Sequence, residues 1–200
     1  MKQVTDNKKQ LISDNCSMLS DQKGFTLIEA VVATAVFAFV ISSVIATYIG
    51  VLKIDRKTRS QRAVYDNGRF IMEFLAKEIR NGTINYTSYS GGSIPATDPD
   101  LYVKNQNNEL ERMYKNGDNL ILAKNNSSTN LNSNGVKITN LSFYIMPLVD
   151  PYTTAKNANL QPSVTIKLEL TSNYGSSATD LVKLNLQSTF STRVYPSRQP

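Results

Sequence analysis

Glu29 is the only charged residue between Lys23 and Lys53. The run that follows it, residues 30–52, carries no charge and is rich in Ala, Val, Ile and Phe. A helix needs roughly 20 such residues to cross the hydrocarbon of a bilayer. The fold must therefore accommodate a helix that is apolar all round, in lipid or among other helices. A carboxylate beside hydrocarbon costs at least ~2.5 kcal/mol on insertion scales, so it persists only where it is neutralised or paired, and it marks function. The simplest alternative is a signal anchor whose Glu29 snorkels to the interface.

A cleaved secretory signal peptide is the competing reading of this end of the chain. Ala33-Thr34-Ala35 has the small residues of such a cleavage site, but the apolar stretch runs on well past it, to Leu52. A cleaved signal would stop there. Charge alone leaves orientation open: Lys2, Lys8, Lys9 and Lys23 precede the span, and Lys53, Arg56, Lys57, Arg59 and Arg62 follow it, so the two flanks nearly balance.

The residues Lys23-Gly24-Phe25-Thr26-Leu27-Ile28-Glu29 resemble the type IV pilin and pseudopilin signature. The resemblance implies that a prepilin peptidase cuts between Gly24 and Phe25, that Phe25 is then N-methylated, and that Glu29 becomes the fifth residue of the mature chain. It also implies that the leader stays in the cytoplasm and that Glu29 of an incoming subunit pairs with the terminal amine of a subunit already in the filament. The physics suits that role: Phe25 and Glu29 are one helical turn apart, and an amine and a carboxylate that are each costly in lipid are tolerable as a pair. A start at Met18 would give Met18-Leu19-Ser20-Asp21-Gln22-Lys23-Gly24, a short leader common in this family; Met1 and Met18 both remain open as starts.

On this reading the chain divides into a leader (1–24), a transmembrane and filament-core helix (25–52), its amphipathic continuation (53–82) and one globular β-rich head (83–200). Cys16, the only cysteine, lies in the leader, so the mature protein has no thiol with which to close a disulfide. That departs from the carboxyl-terminal disulfide of many pilins. There is no histidine anywhere. Serine–histidine and cysteine–histidine catalysis and ordinary zinc sites are therefore excluded. We expect no enzymatic activity, catalytic residue, metal site or cofactor.

Beyond the apolar run, Val64, Gly68, Ile71, Leu75 and Ile79 recur at helical spacing, with Phe70 and Phe74 expected to widen the buried side. Arg69, Glu73 and Lys77 form successive i,i+4 neighbours of opposite charge. Asn81-Gly82 supplies the stop, both residues tolerating the left-handed conformation that ends many helices. Residues 83–100, rich in Ser, Gly, Thr and Pro, read as a loop with little core potential. Strands are expected at 101–104, 109–114, 119–124, 136–146, 163–171 and 181–194, with a hairpin turn at Asn116-Gly117-Asp118 and another turn at Asn173-Tyr174-Gly175. Val164, Ile166, Leu168 and Leu170 alternate with Thr165, Lys167 and Glu169, which makes a strand with one buried face. Val182, Leu184 and Leu186, with Phe190 further on, repeat the pattern. The expected class is α+β and pilin-like: one long N-terminal helix packed on an antiparallel sheet.

Residues 59–82 also resemble the second half of the long helix in minor pilins of the PilW type and J-type minor pseudopilins of type II secretion, and residues 186–193 resemble the end of such proteins. The resemblance implies a minor subunit, with a major pilin as the alternative within the family and a membrane-anchored binding protein or adhesin outside it. Expected partners are other pilin subunits, the prepilin peptidase, an inner-membrane assembly platform and membrane lipid. The net charge of +6 includes the basic cluster after the span. Anionic lipid suits that cluster better than nucleic acid, because no aromatic residues are interleaved for base stacking. Asp98, Asp100 and Asp118 lack a regular calcium-ligand spacing and read as turn residues. Tyr86, Tyr89, Tyr102, Tyr144, Tyr152 and Tyr174 read as packed rings with wet hydroxyls, not an adhesive surface. The Asn-rich stretch 125–134 reads as a mobile loop on which a partner subunit could dock.

Overall fold

The computed structural model describes residues 24–89, 94–152, 160–173 and 181–193. Cys16, Met18, Lys23, the Tyr174-Gly175 part of the second turn and Val194 lie outside the described residues. The chain separates into two compact units, residues 1–50 and 51–200. A single helix, α1 (Leu27–Asn81), passes from the first into the second.

In the first unit every described residue from Gly24 to Ile49 is exposed. Its hydroxyls bond back to their own backbone, Ser42 Oγ donating to the Ala38 carbonyl at 2.8 Å and Thr47 Oγ1 to that of Ser43 at 3.0 Å. This satisfies polar atoms without water. In the second unit the stripe behaves as its spacing demands: Val64, Gly68, Ile71, Leu75 and Ile79 are buried. Phe70 is not. It stays 52% exposed and stacks on Phe74, while Ala63, Met72, Phe74 and Ala76 widen the covered side. Arg69 and Glu73 form the expected ion pair at 2.7 Å.

Among the described residues eight strands follow. β1 (Thr83–Ile84), β2 (Asp100–Lys104), β3 (Leu110–Asn116), β4 (Asn119–Lys124) and β5 (Ser127–Asn130) form an antiparallel sheet in sequence order. β6 (Val136–Met146), β7 (Ser163–Ser172) and β8 (Lys183–Ser191) form a second, also antiparallel. The strands thus split between two sheets, not one. Backbone hydrogen bonds join them, the Ile138 amide donating to the Asp118 carbonyl at 2.9 Å and Asp98 exchanging two bonds with Phe143. One core serves the helix and both sheets. It contains Leu75 and Ile79 from α1, Leu101 and Met113 from the first sheet, and Phe143, Ile166 and Leu168 from the second.

Three expectations are corrected here. Residues 83–100 are not merely a coreless loop: they contain β1 and a short 3-10 helix (Tyr86–Ser88), and Ile84, Tyr86, Tyr89 and Ile94 are buried in the core. Tyr89 is held by a T-shaped ring contact with Tyr102 and by its hydroxyl, which accepts from the Tyr102 amide at 3.1 Å. The Asn-rich stretch is also ordered. Asn125 and Asn126 both adopt positive φ, 49° and 62°, as the central residues of the β4–β5 hairpin, a conformation that asparagine tolerates and that matches strand twist. Finally, Gly82 ends the helix without a left-handed conformation. Its amide still donates to the Glu78 carbonyl at 2.9 Å, and glycine is required there because the chain passes close to β2.

Candidate functional site

The described chain begins with Gly24, Phe25 and Thr26 in extended or irregular conformation, and α1 starts at Leu27. Why it starts there is visible in the hydrogen bonds. Thr26 Oγ1 accepts from the Glu29 amide at 3.3 Å, and the Thr26 carbonyl accepts from the Ala30 amide at 3.2 Å. Thr26 is the N-cap and Glu29 the third helical residue, which is half of a capping box. The pattern Thr-x-x-Glu carried that signal, and the sequence reading did not draw it. A carboxylate in the first turn also faces the positive end of the helix dipole.

The rest of the site is defined by exposure. Phe25 is 79% and Leu27 84% exposed, and the most apolar part of α1 has a mean hydropathy of 2.3 with none of it buried. The helix is long and apolar enough to cross a membrane. Glu29 is exposed among these apolar side chains, and among the described residues no hydrogen bond or ion pair meets its carboxylate. Gly24, Phe25 and Glu29 therefore sit together at the head of an uncovered apolar helix. A methyl at Gly24 would meet nothing within 4 Å, so no packing contact requires glycine there.

The basic cluster lies on the same helix just past the apolar run. Lys53, Arg56, Lys57, Arg59 and Arg62 are all exposed and point around its circumference, and Arg59 pairs with Asp55 at 2.9 Å. The aspartates weighed as calcium ligands have other work. Asp98 Oδ1 accepts from the Asp100 amide at 2.8 Å, Asp100 pairs with Arg112 at 2.7 Å, and Asp118 pairs with Lys137 at 3.1 Å. Among the described residues no cluster of three or more acidic, histidine or cysteine side chains is placed to hold a metal.

Against known proteins, residues 19–45 match a family described as the prokaryotic N-terminal methylation motif. The match takes in Gly24, Phe25, Glu29 and the first part of the apolar helix, and it supports the type IV pilin and pseudopilin family. No curated protein and no solved structure matches the chain.

Proposed function

We propose that this chain is a minor subunit of a type IV pilus or a type II secretion pseudopilus, processed between Gly24 and Phe25, N-methylated on Phe25, and drawn from the membrane into a helical filament. The observation that carries this reading is the Glu29 carboxylate, left without a partner among the described residues at the head of an apolar stretch of α1 whose residues are all exposed as far as Ile49. In lipid the helix is stored; in a filament it exchanges lipid for neighbouring helices, and Glu29 meets the terminal amine of another subunit. Such contacts are heterologous and do not close, so they propagate. The head, residues 83–200, stays outside the inner membrane, and the basic cluster leaves the span beside anionic headgroups.

Processing is tested by the intact mass of the membrane form. The reading expects an amino terminus at Phe25 carrying one methyl group, and Gly24→Val should leave the leader attached. A wild-type protein that keeps its leader is a membrane-anchored binding protein instead. The share of the subunit in sheared filaments separates a minor from a major pilin.

A further inference from the structure

A small polar cavity of about 210 Å³ lies where the end of α1 meets the first sheet. Its walls include Lys77, Glu78 and Asn81 from α1, Asn105 from the β2–β3 turn, Glu111 from β3 and Lys124 from β4. Glu111 is 4% exposed, and its two oxygens are treated differently. Oε1 accepts from Asn105 Nδ2 and Lys124 Nζ, both at 2.9 Å. Oε2 is buried with no hydrogen-bond partner. Lys124 is already engaged elsewhere as well, with Glu109 at 2.8 Å.

The group that faces Glu111 is another acid. Burial, and after it the Glu111 carboxylate, raise the Glu78 carboxyl above its ordinary value, while Lys77 and Lys124 oppose that rise. A buried acceptor with no donor beside a carboxyl that resists ionisation is the arrangement of two acids around one proton.

We propose that Glu78 and Glu111 share a proton, the Glu78 hydroxyl donating to Glu111 Oε2, and that this bond latches the end of α1 to β3. The proton completes the coordination of Glu111 and removes the opposition of two carboxylates in one small cavity. The charged groups around it are Lys77 and Glu78 on α1, Glu111 on β3, Glu109 just before β3, and Lys124 on β4. Because the Glu78 value is raised on folding, the stability it contributes is fully present below about 4.5 and is lost as pH rises through the folded value. The latch lies within the second unit, residues 51–200, and stands or falls separately from filament assembly.

The test is hydrogen exchange of the full-length protein in detergent micelles, followed on peptides from the end of α1 and from β3 and corrected for intrinsic rates. Between about pH 4.5 and about pH 7.5 these amides should exchange severalfold faster in the wild type. Glu78→Gln should hold them at the low-pH level throughout, since its carboxamide N–H can donate to Oε2 at every pH, and Glu73→Gln, an exposed control on the same helix, should leave the wild-type dependence intact. An infrared band of a protonated carboxyl that titrates with the same midpoint in the wild type, and is lost in Glu78→Gln, gives a readout that does not depend on exchange. A pH-independent wild type, or a Glu78→Gln protein that keeps the dependence, would overturn the latch. So would calcium chloride at about pH 7.5 restoring protection to the wild type and not to Glu78→Gln, because Oε2 would then be a cation ligand.

Discussion

At Gly82 the fit of the fold comes down to one hydrogen atom. A methyl there would lie 2.4 Å from Val103 Cγ1 and 2.7 Å from the carbonyl oxygens of Glu78 and Lys104, and backbone oxygens cannot step aside. Gly82→Ala should therefore cost about 1–3 kcal/mol, read as a lower urea midpoint by tyrosine spectroscopy. At Gly68 the obstacles are the methyl ends of Leu170, Leu186 and Leu184, at 2.8, 2.9 and 3.1 Å, which have rotamer freedom. Gly68→Ala also recovers up to about 1 kcal/mol of helix propensity, so its net effect should be the smaller of the two. Asn132 is a third such position: its Oδ1 accepts from the Leu120 amide at 2.9 Å and its Nδ2 donates to the Val136 carbonyl at 2.7 Å, inside the protein. Asn132→Ala should cost roughly 1–3 kcal/mol by leaving both unpaired. Gly68 was legible because it falls on an apolar stripe at helical spacing. Gly82 was placed correctly for the wrong reason, since a close approach by β2 is a tertiary fact that no local pattern carries. Asn132 was lost in a run of asparagines whose composition reads as loop.

At the scale of elements, α1 is two different helices in one. Its second half is held by burial, so Ile71→Ala or Leu75→Ala should each destabilise the head by about 2–5 kcal/mol, whereas Phe70→Ala, at a half-exposed position, should change little, roughly 0.5 kcal/mol. The strands from 101 onward were legible wherever alternation was strong, as in Val164, Ile166, Leu168 and Leu170, all of which are fully buried. β1 and β5 were not, because a two-residue strand and the strand Ser127–Asn130, exposed throughout, have no apolar alternation to show. The division into two sheets was also invisible, since it is made by pairings across long stretches of chain. The β2–β4 corner carries its own pH signature. Hydrogen bonds from Lys124, then from Asn105 and Asn125, hold the Glu109 carboxyl down at about 2. Its contribution is present above the ordinary value of about 4.5 and is lost as pH falls from there towards 2. With Glu78 acting in the opposite sense, the head should be most stable in mildly acidic buffer, and thermal unfolding across pH checks this directly.

For the whole molecule, what matters is the contrast between a head with a closed core and a helix half with none. The described apolar side chains before Gly50 are exposed, and such a surface calls for lipid or other helices. The methylation motif matched over residues 19–45 was legible because its information is local: a glycine, an aromatic residue and an acid ahead of an uncharged run. The capping role of Thr26 was equally local and shows that the same residues also start the helix. The most direct test compares wild type and Glu29→Ala in membranes and in sheared filaments. The account predicts that Glu29→Ala accumulates in the inner membrane at wild-type levels and is absent from filaments. Incorporation at the wild-type level would contradict it.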